Sequence, residues 1–139
     1  MIGRVLIDTG PLVAVFSARD SHHEICSRQL SSIAPPLLTS WPVLTEAAWL
    51  LRRQAGAIER ILESVTEGLL QPLELDEAAC AWMAGFLRKY RSLHPQIADA
   101  SLVYLAEREG LDAVFTLDRR DFLVYRLSGS RRLNLLPTS

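Results

Sequence analysis

Four carboxylates in this chain stand among apolar residues, where an acid is costly to keep. Asp8 directly follows Val5-Leu6-Ile7, and Asp118 directly follows Val114-Phe115-Thr116-Leu117. Asp99 shares its helical face, at offsets of three, four and seven, with Leu102, Val103 and Ala106 and so points toward a core; Glu46 has Trp49, Leu50 and Arg53 at the same offsets. Each acid alone has an ordinary reading, as the cap of a turn or the partner of a buried arginine. Together they are harder to explain that way. Two bare carboxylates about 4 Å apart repel by roughly 4 kcal/mol at an effective dielectric near 20. A cluster therefore takes up protons or binds a cation. Oxygen donors with no convergent His or Cys suit a hard divalent ion, Mg²⁺ or Mn²⁺. Such an ion engages phosphate oxygens and acidifies water, which makes hydrolysis of a phosphodiester or nucleotide the expected chemistry. Thr9 and Thr116 could orient ligands or water from behind the acids, with ordinary strand-end hydrogen bonding as the equal alternative.

The elements that must position these acids alternate in type. Residues 4–8 read as a strand, followed by a helix that starts in the turn residues Asp8-Thr9-Gly10-Pro11 and carries LVAVF. A second helix is expected from Asp20 or Ser21, whose side chains can cap it, up to the Pro35-Pro36 break. Residues 37–39 form a strand. Trp41-Pro42 then opens a helix that runs until Gly56 interrupts it, and AIERILESVTEG forms the next. Residues 69–75 read as an edge or irregular strand because Pro72 lacks a ladder donor. Asp76 can cap the following helix, Pro95 opens another, and Gly110 closes that one. Residues 113–117 and 133–137 complete the strands. Alternation of this kind implies right-handed crossovers and a three-layer α/β/α fold around a short, mainly parallel sheet. Asp8 and Asp118 would then lie at the carboxyl ends of strands, the edge where such sheets place ligands.

Composition sets the frame. A chain of 139 residues, 49% hydrophobic, suits one domain over 1–139 that buries roughly 68–70% of its unfolded surface. No stretch approaches the roughly 20 apolar residues of a membrane span, and no leader pattern opens the chain, so a soluble cytoplasmic protein without membrane contact is expected. Cys26 and Cys80 sit in helix-like apolar patterns without zinc-site spacing and read as reduced core thiols. The net charge of −1 announces no partner. Fourteen of the fifteen cations are Arg, which matches phosphate bidentately, although coding bias accounts for the preference more simply. Arg119 and Arg120 could clamp RNA phosphate beside Asp118, and His22 and His23 could touch RNA. Trp41, Trp49 and Trp82 read as core or dimer-interface residues, since none lies in a basic-aromatic stripe.

Four segments in order, VLIDTGPLVAVF, TEAAWLL, ADASLVYLAEREG and VFTLDRRDFLVYR, resemble the acidic motifs of PIN-domain ribonucleases. The resemblance covers nearly the whole chain and is closest to the toxins of bacterial VapC-type toxin–antitoxin pairs. It implies a PIN-like fold and RNA phosphodiester cleavage dependent on Mg²⁺ or Mn²⁺. It further implies Asp8, Glu46, Asp99 and Asp118 as catalytic metal ligands, homodimerisation, and inhibition by a cognate antitoxin. Asp121 competes with Asp118: both acids lie in TLDRRDF. Asp118 is favoured because it sits directly at the strand end, while Asp121 could cap, orient or ligate.

Other families fit less well. DTG after apolar residues also occurs in aspartic proteases, but those are all-β, and helical patterns dominate here. A haloacid-dehalogenase-type phosphatase needs an acid where this chain has Gly10, and a receiver domain needs a lysine after its penultimate strand, whereas Lys89 is the only lysine. The alternative of another class is a non-catalytic PIN-like module that binds RNA or protein.

Overall fold

The computed structural model describes residues 1–138; Ser139 lies outside the described residues. In chain order the elements are β1 (Leu6–Ile7), α1 (Thr9–Phe16), α2 (His23–Leu30), β2 (Leu37–Thr39), α3 (Trp41–Leu50), α4 (Ala57–Thr66) and β3 (Leu70–Pro72). The second half follows as α5 (Ala78–Lys89), a 3₁₀ turn (Arg91–Leu93), α6 (Ile97–Glu109), β4 (Ala113–Phe115), α7 (Arg119–Phe122), β5 (Arg126–Leu127), a 3₁₀ turn (Ser128–Ser130), β6 (Arg131–Arg132) and β7 (Asn134–Leu136).

Five strands form one sheet in the order β3-β2-β1-β4-β7, and every pairing in it is parallel. Register is set by Leu6 opposite Leu38 on one side and Val114 on the other. Leu6, Ile7, Leu37, Leu38, Val114 and Phe115 are buried, as strands covered on both faces require. The sheet order has a mechanical consequence. From β1 the chain moves outward to β2 and β3; it then returns to β4 and moves outward the other way to β7. The strand order therefore reverses between β1 and β4, which opens a crevice at their carboxyl ends.

The expected helices and strands are present, with shorter ends. β4 stops at Phe115 because Thr116 turns: its N–H still donates to the Leu136 carbonyl at 3.0 Å, but its side chain faces Asp8. α3 ends at Leu50 and does not reach Gly56, whose φ of +78° instead starts α4. Asp20 accepts from the His22 N–H at 2.8 Å and Asp76 from the Ala78 N–H at 3.1 Å, so both turn acids act at helix starts. Gly110 closes α6 at φ +67°. Pro72 ends the edge strand β3, where its missing N–H leaves no ladder bond unmade.

Two features were not anticipated. α7 and the antiparallel ribbon of β5 and β6 fill the chain between β4 and β7, fastened by the buried side chains of Phe122, Tyr125, Leu127 and Leu133. Three expectations about single residues need correction. Cys26 is a buried free thiol, but Cys80 is exposed on α5 and is no core residue. Trp41 and Trp49, expected in the core or at a dimer interface, are 53% and 62% exposed and so are not core residues of this chain, and of the three tryptophans Trp82 packs partly against the core. Glu46 accordingly belongs to an apolar face that stands in solvent, since Leu50 is exposed as well. Among the described residues no helix is long and apolar enough to cross a membrane.

Candidate active site

Asp8 is the residue at which β1 becomes α1. Its N–H donates to the Phe115 carbonyl at 2.9 Å, which continues the β1–β4 pairing, while its backbone already starts the helix. The side chain is left 6% exposed at the crevice between β1 and β4. It caps nothing in α1; it accepts from the Thr116 hydroxyl at 2.8 Å. That hydroxyl in turn accepts from the Asp118 N–H at 3.0 Å, so one threonine joins the strand end carrying Asp8 to the turn carrying Asp118. Thr9 Oγ1 is buried beside them without a hydrogen-bond partner in the chain.

The helical acids reach the same place through a separate tie. Ser40 caps α3 by accepting from the Val43 N–H, and its hydroxyl meets that of Ser101 on α6 at 2.7 Å, fully buried. Ser101 also donates to the Ala98 carbonyl. With the starts of α3 and α6 fastened together, Glu46 on the second turn of one and Asp99 on the first turn of the other face a common space. Asp99 Oδ2 accepts from the Gln96 N–H at 3.0 Å as half of a capping box, which holds the carboxylate at the helix start.

The cap falls to Asp118 and not to Asp121. Asp118 is the N-cap of α7 and accepts from the Asp121 N–H at 3.3 Å, while Asp121 is the buried member of the two. Both line the cleft. A cavity of about 480 Å³ is bordered by all five acids, Asp8, Glu46, Asp99, Asp118 and Asp121, together with Thr9 and residues of the turn before α6. His94 and Gln96, from that turn, were not singled out from sequence; their one signal was a position within a turn of Asp99.

The electrostatics match this crowding. Burial pushes the Asp8 carboxyl up to about 7, against the Thr116 hydroxyl and the Thr9 N–H that favour its charged form; Asp99 and Glu46 add to the rise. Asp99 rises to about 6, first from burial and then from the charges of Asp118, Glu46 and Asp121. Asp118 moves the same way, from desolvation and the neighbouring Asp121. Among the described residues no three His, Cys, Asp or Glu side chains are grouped tightly enough to hold an ion as they stand. Their charges repel one another, and a cation placed among them would remove the repulsion. The donor set is all oxygen, and the unpartnered Thr9 hydroxyl adds one more such atom at the cleft wall. Both features fit a hard divalent ion.

The arginines divide. Arg119 donates to the Pro137 carbonyl at 2.6 Å and so ties α7 to the end of β7, which commits a side chain expected to meet phosphate. Arg120 is largely exposed and pairs with Asp121 at 3.3 Å, so it stands at the cleft edge. His22 and His23 do not line the cleft; His23 Nδ1 donates to the Ala14 carbonyl at 2.7 Å.

The chain is similar to known proteins. Ribonuclease VapC26 of Mycobacterium tuberculosis (strain ATCC 25618 / H37Rv) is 31% identical over 135 residues, which span 96% of this chain and 100% of that protein. The crystal structure of VapC20 of Mycobacterium tuberculosis, a sarcin–ricin-loop-cleaving toxin, has the same fold. Its TM-score is 0.69 at 19% identity, over 79% of this chain and 86% of that one. A family model described as the PIN domain matches residues 5–127, a span that contains every acid of the cleft, and the chain belongs to that family.

Proposed function

We propose that this protein is a metal-dependent endoribonuclease, the toxin of a VapC-type toxin–antitoxin pair. The observation that carries the reading is the gathering of five acids from four separate parts of the chain into one cleft at the β1–β4 reversal. Two of them are pushed far above the ordinary carboxylate range, to about 7 and about 6. A fold keeps such a destabilising group for use.

Asp8, Glu46, Asp99 and Asp118 or Asp121 would hold Mg²⁺ or Mn²⁺. The bound ion supplies positive charge to offset that of the phosphodiester and acidifies the attacking water. Thr116 fixes the Asp8 carboxylate by donating to it, and Thr9 offers its hydroxyl from the cleft wall. Gln96 holds Asp99 through its N–H, and Arg120 presents a cation at the edge where a phosphate would enter. The partners proposed with this reading are an RNA substrate, a cognate antitoxin and a second copy of the chain; the setting is the cytoplasm.

Purified protein should cut structured RNA when Mn²⁺ or Mg²⁺ is added and stop when EDTA removes it, with the sarcin–ricin loop, which VapC20 cleaves, as a first RNA. Asp8→Asn and Asp99→Asn should each abolish cleavage. Cleavage that survives both would overturn the active site, and absence of metal binding by calorimetry would favour a non-catalytic module.

A further inference from the structure

A second cavity, of about 310 Å³, lies between α5, α6 and the β5–β6 ribbon and shares no lining residue with the acid cleft. Its wall is aromatic. Trp82 stacks on Phe86 with centroids 5.6 Å apart and 18° between planes, and Tyr90 stands 4.8 Å beyond Phe86. Its rim is cationic. Lys89, the only lysine of the chain, sits 5.3 Å over the Tyr90 ring. Arg126 is anchored by Nη1, which donates to the carbonyls of Leu123, Val124 and Tyr125, so its remaining guanidinium N–H groups are those a phosphate would meet. The ribbon pairs Arg126 with Arg132 and Leu127 with Arg131, two exposed arginines that stand outside the cavity lining. Glu107, the acid of the wall, is already committed: it accepts from the Ser128 N–H at 2.6 Å and hydroxyl at 2.9 Å, and it pairs with Arg131 at 3.9 Å.

Aromatic faces with cations at one mouth suit a nucleotide, because the base can stack while the phosphate meets the charges. α6 relates this cavity to the acid cleft. Asp99 borders the cleft and Glu107 borders the cavity, and eight residues of helix separate them by about 12 Å along the axis. A strand whose scissile phosphate lies among the acids can reach that far.

We propose that this cavity binds a nucleotide of the RNA strand outside the scissile bond, its base against Trp82 and its phosphate on Lys89 and Arg126. The proposal rests on the ribonuclease reading for its substrate. Two variants test it without disturbing the acids. Lys89→Ala removes the cation, and Gly85→Leu fills the mouth from a position where a Cβ meets nothing within 4 Å. Anisotropy of a labelled single-stranded RNA of roughly 12 nucleotides should show binding weakened about tenfold in both. Lys89→Ala should lower the dependence of log Kd on log salt by about one, and Lys89→Arg should restore the affinity. Cleavage of a dinucleotide, too short to reach the cavity, should be unchanged. Unaltered affinity for the long RNA in both variants would overturn the proposal. So would displacement of that RNA by micromolar AMP, which would mark a free-nucleotide site. Binding lost in both variants although wild type cuts no RNA would uphold the cavity and overturn the ribonuclease reading.

Discussion

Replacing Asp8 by Asn should make the metal-free protein more stable at neutral pH while destroying its activity. The reasoning starts from the carboxyl, which is raised from 3.8 to about 7 mainly by burial. Below pH 3.8 the group is protonated in the folded and unfolded chains alike and contributes no difference. Between 3.8 and about 7 the unfolded chain releases the proton while the folded chain keeps it. Stability therefore falls as pH rises, and the full loss is reached above about 7. Roughly three pKa units at about 1.36 kcal/mol each give ~4 kcal/mol, an order-of-magnitude ceiling on the cost of ionising Asp8 in place. Asn is neutral and nearly isosteric, and its carbonyl oxygen can still accept from the Thr116 hydroxyl. Settling its amide hydrogens would cost about 1 kcal/mol. A net gain of about 3 kcal/mol corresponds to roughly 10 °C in Tm for a domain of this size. Urea unfolding in EDTA at pH 4, 6 and 8 measures this directly. The Asp8→Asn variant should be slightly the less stable at pH 4, where only the cost of its amide is felt, and clearly the more stable by pH 8. Adding Mn²⁺ should raise the wild-type midpoint by mass action and leave the variant nearly unmoved. Equal stability at pH 8, or a difference that does not change with pH, would refute the claim that Asp8 is a buried carboxylate kept at a cost.

Three further outcomes follow from the same geometry. Thr116→Val removes the hydroxyl that donates to Asp8 and accepts from the Asp118 N–H; it should cost about 2 kcal/mol at pH 8 by urea unfolding and move the Asp8 transition to still higher pH. Asp121→Asn should reduce metal affinity in calorimetry more than Asp118→Asn does, because Asp121 is buried in the cleft whereas Asp118 spends an oxygen on the cap of α7; equal effects would assign the two acids equivalent parts. Ser101→Ala breaks the buried link between the starts of α3 and α6; it should cost about 1 kcal/mol and lower kcat for RNA cleavage severalfold with KM little changed, whereas unaffected kcat would show that the link does not position Glu46 and Asp99.

What could be read without coordinates was what local chemistry decides. Asp8 and Asp118 both follow apolar runs, and for Asp8 this places it directly after β1; Asp118 was expected at the end of its strand but stands three residues past β4, which stops at Phe115, because the chain turns into α7 there. Asp99 shares a face with Leu102, Val103 and Ala106, all buried in the structure, and period alone predicts that. The same rule misled for Glu46, because Trp49 and Leu50 are apolar yet exposed, and periodicity reports the chemistry of a face without saying what covers it. The pair Asp118 and Asp121 shows a finer limit. Either acid of TLDRRDF can cap a short turn, and the choice depends on whether helix starts at Arg119, a matter of four residues with no period to read.

The deeper gap concerns sheet order. Alternating strands and helices predict a parallel sheet, but they are equally consistent with several orders, and the site exists in only some of them. Asp8 and Asp118 border one cleft because β1 lies beside β4, an adjacency recorded in the pairing of Leu6 with Val114 and in the Thr116–Asp8 hydrogen bond across 108 positions of chain. Were β1 flanked by β2 and β3 instead, the same acids would stand at separate strand ends with ordinary carboxylate behaviour. Since burial and crowding at that one adjacency raise Asp8 and Asp99, their perturbed titration is itself a readout of the strand order, and the pH dependence of stability tests topology and chemistry together.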